Sequence, residues 1–151
     1  MVNKKIKIVI CGSIELSDKI IEAADNLEAR GLEVEIPHST MEIRKGELSL
    51  DEFKALKKKH GGDFVMRKQA NFDFITDYYE KIKDSDGILV LNIDKNGIKN
   101  YIGGNALMEL GFARVLGKKI YLFNPIPKMS YTDEISAVEP IVINGDLNKI
   151  R

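Results

Sequence analysis

The segment Ile6-Lys7-Ile8-Val9-Ile10-Cys11, ended by Gly12, restricts the fold of this chain more than any other stretch. Its apolar residues are mostly β-branched and nearly continuous rather than alternating, the pattern of a parallel strand covered on both faces. A parallel strand needs a crossover, and the following residues supply one. Ser17 is placed to cap a helix, Asp18 suits its first turn, and Ile20, Ala24 and Leu27 recur at helical spacing until Gly31 stops it. Leu32-Glu33-Val34-Glu35-Ile36 then alternates as a strand and ends at Pro37. A β–α–β unit of this length opens a doubly wound sheet.

The remainder continues the alternation with one interruption. Phe74 to Lys83 reads as a helix, with Ile75, Tyr78, Tyr79 and Ile82 at its apolar positions, and Gly87 to Asn92 as a third strand. Ala106 to Leu116 is a helix apolar almost all round, stopped by Gly117, and Lys119 to Phe123 is a fourth strand. A short helix near Asp133 to Ala137 precedes a fifth strand, Pro140 to Ile143. The interruption, His38 to Asn71, is charged and shows only a weak helical pattern around Leu50, Phe53 and Leu56. It reads either as an excursion that covers a site or as a solvated insertion. A chain of 151 residues has room for one domain, residues 1–151. The pattern predicts a three-layer α/β fold with a five-stranded parallel sheet in the order 2-1-3-4-5.

Composition removes several function classes. Lys and Arg total 23, as do Asp and Glu, so there is no basic surplus of the kind a nucleic-acid binder uses to displace counterions. A single cysteine excludes a disulfide framework and a zinc cage of several thiolates. His38 and His60 share no ligand spacing, so no metal site is expected. The apolar run behind Met1 to Lys5 is too short for a signal peptide or a membrane span. These readings lead us to expect a soluble, cytoplasmic protein with neither nucleic-acid nor membrane partners.

In sheets of this order ligands bind beyond the carboxyl ends of the strands, near the switch point. That rule selects Gly12-Ser13-Ile14, Asn92 to Gly104, and Asn124-Pro125. Gly103-Gly104-Asn105 stands directly before a buried helix, where free N–H groups and the positive end of the dipole attract phosphate. Glycine pairs also occur there for purely conformational reasons. Glu109 has Phe112 and Ala113 three and four residues on, so it does not lie on a solvated face. With Asn105 as N-cap, the position that would reach back is Met108, so Glu109 is not a capping carboxylate. The helix dipole and nearby donors are expected to keep it ionised, the state a carboxylate nucleophile requires. The competing reading is a structural glutamate bonded to a neighbouring loop. Tyr101 either stacks on a base or packs under its own loop. Cys11 is expected to be a packed thiol. Lys57-Lys58-Lys59 is expected to be a solvated helix face, able to attract an anion if it folds over the crevice.

Cys11-Gly12-Ser13-Ile14, Ser85-Asp86, and Glu109-Leu110-Gly111-Phe112-Ala113 followed by Gly117-Lys118-Lys119-Ile120 together resemble the nucleoside 2-deoxyribosyltransferase superfamily. The nearest pattern is that of the deoxynucleoside 5′-monophosphate N-glycosidases. The resemblance spans most of the chain outside His38 to Asn71. It implies a flavodoxin-like, Rossmann-like fold, a homo-oligomer whose subunits complete one another's sites, and a small-molecule nucleoside or nucleotide partner. No metal or organic cofactor is implied. Glu109 takes the role of the nucleophile that attacks the anomeric carbon of a deoxyribosyl group and displaces the base. Gly12 and Ser13 match the loop along the sugar and phosphate, extended here by Gly103, Gly104 and Asn105, with Tyr101 beside them. Three positions depart from the pattern. Val9 replaces a tyrosine, and Gly103 a polar residue. Tyr78 occupies the place of a proton-managing aspartate, leaving Asp77 one residue away as the candidate donor. Two classes of function follow: an enzyme acting on N-glycosidic bonds, or a catalytically inactive nucleotide-binding or sensing domain. A redox flavodoxin fits less well, because the first loop lacks a Ser/Thr-rich phosphate pattern.

Overall fold

A computed structural model of the protein describes residues 3–61 and 71–151. Five strands, β1 (Lys7–Cys11), β2 (Glu33–Glu35), β3 (Gly87–Val90), β4 (Lys119–Leu122) and β5 (Ile141–Val142), form one sheet. All neighbours are parallel and the order is β2-β1-β3-β4-β5, as the alternation of elements required. The described helices are α1 (Ser17–Ala29), α2 (His38–Arg44), α3 (Leu50–Lys59), α4 (Phe74–Lys83), α5 (Gly104–Val115) and α6 (Thr132–Ala137). None of them is long and apolar enough to cross a membrane.

The strand period of two divides the core into two clusters. Ile8 and Ile10 of β1, with Leu89 of β3, pack against Ile20, Ala24 and Leu27 of α1. Val9 and Cys11, with Ile88 and Val90, face Tyr78 and Ile82 of α4, Leu110 and Ala113 of α5, and Ile135 of α6. The result is a Rossmann-like three-layer α/β fold. At Gly87 a Cβ would lie 2.8 Å from the Lys119 carbonyl oxygen, so only glycine lets β3 start this close to β4.

Two local expectations need correction. Ser17 does not cap α1. A 3₁₀ turn, Ile14–Leu16, leads straight into the helix, and Ser13 caps that turn by accepting from the Glu15 N–H at 3.4 Å. The buried Ser17 hydroxyl instead donates to the Ile14 carbonyl at 2.5 Å and lies 3.1 Å from the Thr40 hydroxyl. Thr40 belongs to α2, which the apolar pattern gave no reason to expect. The fully buried residues of α2 are Ser39 and Thr40, and a helix that buries hydroxyl groups leaves no apolar period to read.

Candidate functional site

A cleft of about 360 Å³ opens at the carboxyl ends of β1 and β3, where the chain direction of the crossovers reverses. The Gly12–Ser13 turn forms one wall and the Tyr101 to Ala106 segment another. The start of α2, Lys57 of α3 and the beginning of α4 close the remaining side. All eight residues singled out in the sequence border this cleft: Gly12, Ser13, Asp77, Tyr101, Gly103, Gly104, Asn105 and Glu109.

Glu109 lies half-buried where α5 crosses behind the carboxyl end of β1. Burial raises its pKa to about 7, and the neighbouring Cys11 thiol pulls it downward by less. The expectation that the dipole would hold this group fully ionised is therefore corrected. The N-cap of α5 is Gly103, not Asn105, which makes Glu109 the sixth residue of the helix. The dipole acts within the first turn, and a thiol is a weak donor. Desolvation wins, and the carboxyl group is poised between its two protonation states near neutral pH. Cys11 itself is fully buried, and desolvation, followed by the charge of Glu109, pushes its pKa well up. It is a thiol, as expected of a packed cysteine.

On α4, Asp77 faces the cleft but forms an ion pair with Lys81 at 3.1 Å. The neighbouring Tyr78 is buried and donates its hydroxyl to the Ile10 carbonyl; burial, more than the nearby Cys11 and Glu109, raises its pKa. Tyr101 stands against Gly103, where a Cβ would come within 3.4 Å of its ring.

Several cleft residues escaped the sequence reading. Lys95 extends from the β3–α5 loop to the opposite wall, donating to the Ser13 hydroxyl at 3.2 Å and pairing with Glu15 at 3.4 Å. Its ammonium group also lies 5.9 Å from the centre of the Tyr101 ring. The signal was a lone lysine ahead of Asn96-Gly97, which both adopt left-handed backbone angles and build the tight tip that holds it. His38 stacks on Phe72 with ring centroids 4.7 Å apart and pairs with Glu42 at 3.0 Å. His38 follows the carboxyl end of β2, so the strand-end rule would have found it. Of the lysine run, Lys57 borders the cleft, whereas Lys58 and Lys59 are exposed. The segment 62–70, including Gly62 of the proposed excursion, falls outside the described residues.

Asn124-Pro125, expected to face the site, does not border the cleft. The fully buried Asn92 side chain donates to the carbonyls of Asn124 and Pro125 at 2.8 and 3.1 Å and accepts from the Asn124 N–H at 2.8 Å. Asn124 returns a bond to the Asn92 carbonyl at 3.0 Å, sealing the ends of β3 and β4 together. Among the described residues, no three His, Cys, Asp or Glu side chains gather into a metal-ligand set. Comparison of the chain with protein-family models, curated proteins and solved structures returned no match.

Proposed function

We propose that the protein cleaves or exchanges the N-glycosidic bond of a deoxynucleoside or its 5′-monophosphate, with Glu109 as the nucleophile. One observation carries this reading. A desolvated carboxyl group lies in a cleft of about 360 Å³ that also holds the start of α5 and the Gly12–Ser13 turn. That volume suits a ligand of nucleotide size. Phe72, Phe74 and Tyr101 offer ring surfaces to a base, while Ser13, Lys95 and the N–H groups at the start of α5 offer donors to a sugar or phosphate.

In the first step an ionised Glu109 oxygen bonds to the anomeric carbon. The carbon–nitrogen bond breaks, its electron pair leaves with the base, and the base takes up a proton. In the second step water or another base attacks the same carbon and the ester bond to Glu109 breaks, which regenerates the carboxylate. Between them the carboxylate also stabilises the oxocarbenium-like transition state by its charge. Only the ionised form attacks. Base release is therefore expected to rise with pH through about 7, the pKa of this carboxyl group.

The test is incubation with a panel of deoxynucleosides and their monophosphates, with free base measured by chromatography and the protein examined by mass for a deoxyribosyl adduct. Release that disappears in folded Glu109→Gln supports the enzyme. A second reading, a nucleotide sensor without turnover, is favoured by the engagement of Asp77 with Lys81 and of Tyr78 with Ile10, which leaves neither free to protonate a base. Nucleotide binding with no base released, even with an acceptor base present, would establish it.

A further inference from the structure

Two polar side chains on the α2–α3 side of the cleft have no use in the steps above. Ser39 borders the cleft from the first turn of α2 and is only 7% exposed. Its neighbour Thr40 meets the Ser17 hydroxyl at 3.1 Å, but among the described residues the Ser39 hydroxyl has no hydrogen-bond partner. A buried hydroxyl left unpaired is costly, so its partner is expected to be a group that enters the cleft. Of the two lysines that border the cleft, Lys95 is engaged by Ser13 and Glu15. Lys57 has neither an ion pair nor a hydrogen bond among the described residues. The surroundings decide what these two groups can meet. Phe72 and Phe74 border the cleft on this side and suit a flat ligand. His38, one residue before Ser39, stacks on Phe72 and pairs with Glu42 at 3.0 Å. A carboxylate therefore stands next to this wall and disfavours a phosphate dianion there.

We propose that Ser39 anchors the polar edge of the base and that Lys57 selects bases with a carbonyl oxygen there, the 6-oxopurines and 4-oxopyrimidines, over their amino counterparts. A lysine ammonium only donates, so it requires an acceptor such as a carbonyl oxygen. In these bases a ring N–H stands next to that carbonyl, and the Ser39 hydroxyl can accept from it. An amino base sets its NH2 group against the ammonium, donor against donor, and the lysine contact is lost. The hydroxyl can then turn and donate to the bare ring nitrogen, so Ser39 serves both kinds of base and Lys57 tells them apart. The inference rests on the proposed function for the kind of ligand, but its test reads binding rather than turnover, so the two can fail separately.

The test is calorimetric titration of Glu109→Gln, in which no bond is broken, with the 5′-monophosphates of deoxyinosine and deoxyadenosine, and with those of deoxyuridine and deoxycytidine. The members of each pair differ only in the edge at issue. The oxo member is expected to bind about tenfold more tightly in both pairs. Adding Lys57→Met should reduce that preference to less than about twofold. Adding Ser39→Ala should weaken all four ligands by about five- to tenfold. Resistance to denaturant should hold or rise slightly in Ser39→Ala, because the hydroxyl removed has no partner within the protein. Equal affinities within each pair, or a preference that survives Lys57→Met, overturns the proposal. So does a Ser39→Ala protein that binds all four as before, or one that unfolds at clearly lower denaturant, since the hydroxyl would then be satisfied within the fold. Base release by the unaltered protein alongside equal affinities would retire this subsite and keep the enzyme. The expected preferences without any base release would keep the subsite and favour the sensor.

Discussion

The carboxyl edge of the sheet contains two junctions built from similar residues and put to opposite uses. Between the ends of β3 and β4, Asn92 and Asn124 exchange three hydrogen bonds, and Asn92 donates a fourth to the Pro125 carbonyl. Between the ends of β1 and β3, Gly12, Ser13, Gly103, Gly104 and Asn105 stand apart around a cleft. Both junctions are rich in small polar residues that supply backbone and side-chain donors. They differ in whether those donors are consumed within the protein. At the switch point the crossovers leave to opposite faces of the sheet, so the loops diverge; at β3–β4 both crossovers stay on one face and the loops meet. Topology selects the cleft, and side-chain chemistry then furnishes it.

The sharpest test of that contrast exchanges one atom in the open junction. Glu109→Gln keeps the shape of the side chain and removes its negative charge, so base release is expected to fall by at least about a thousandfold. No loss of stability is expected, because the amide keeps the shape of the side chain and carries no charge to desolvate. The sealed junction behaves in the reverse way. Asn92→Ala leaves the carbonyls of Asn124 and Pro125 and the Asn124 N–H without their buried partner. A loss of about 2–4 kcal/mol in denaturant unfolding is expected, with turnover per folded molecule little changed. Equal effects of the two substitutions on stability would erase the distinction between the junctions.

This contrast also explains what could be read from the residues alone. The five strands, their order and the cleft position followed from continuous apolar runs, crossover lengths and the strand-end rule, all of which are local patterns. Glu109 was recognisable because a charge amid Phe112, Ala113 and Leu110 contradicts its surroundings. Asn124 was not separable from Asn105, since each asparagine follows or precedes a buried element and only the partner distinguishes them. The hydrogen bond from Lys95 to Ser13 joins residues 82 positions apart, and α2 buries hydroxyls rather than alkyl groups. Such pairings depend on tertiary distance, for which hydrophobic period carries no information.

The protonation of Glu109 supplies a third, smaller effect. Its folded pKa, about 7, exceeds the ordinary carboxyl value of 4.5, so the folded state binds more protons than the unfolded state between those limits. This contribution to stability is complete below about 4.5 and declines as pH rises through about 7. Allowing for solvent access from the cleft, the decline attributable to this group is about 1–2 kcal/mol. Chemical denaturation of the native protein and Glu109→Gln at successive pH values measures it, and the difference between their curves should narrow toward higher acidity. Parallel curves would mean that the carboxyl is well solvated and that the open junction is wetter than its walls suggest.

The smallest effect concerns how the open junction divides its donors between protein and ligand. Lys95 spans the cleft to Ser13 and Glu15, yet about a quarter of its side chain stays exposed, 28% against 40% for Glu15. An ion pair this accessible contributes little to stability, so Lys95→Ala should change unfolding by less than about 0.5 kcal/mol. A ligand phosphate carries more charge than the Glu15 carboxylate and competes for the same ammonium group. Calorimetric affinity for a deoxynucleoside monophosphate is therefore expected to fall about five- to tenfold in Lys95→Ala, with affinity for the matching deoxynucleoside nearly unchanged. Raising the salt concentration should shrink that gap, because the contribution is a charge pair at the rim. Equal losses for both ligands would assign Lys95 to the sugar or to the architecture of the wall, and would place the donors for phosphate at the start of α5 instead.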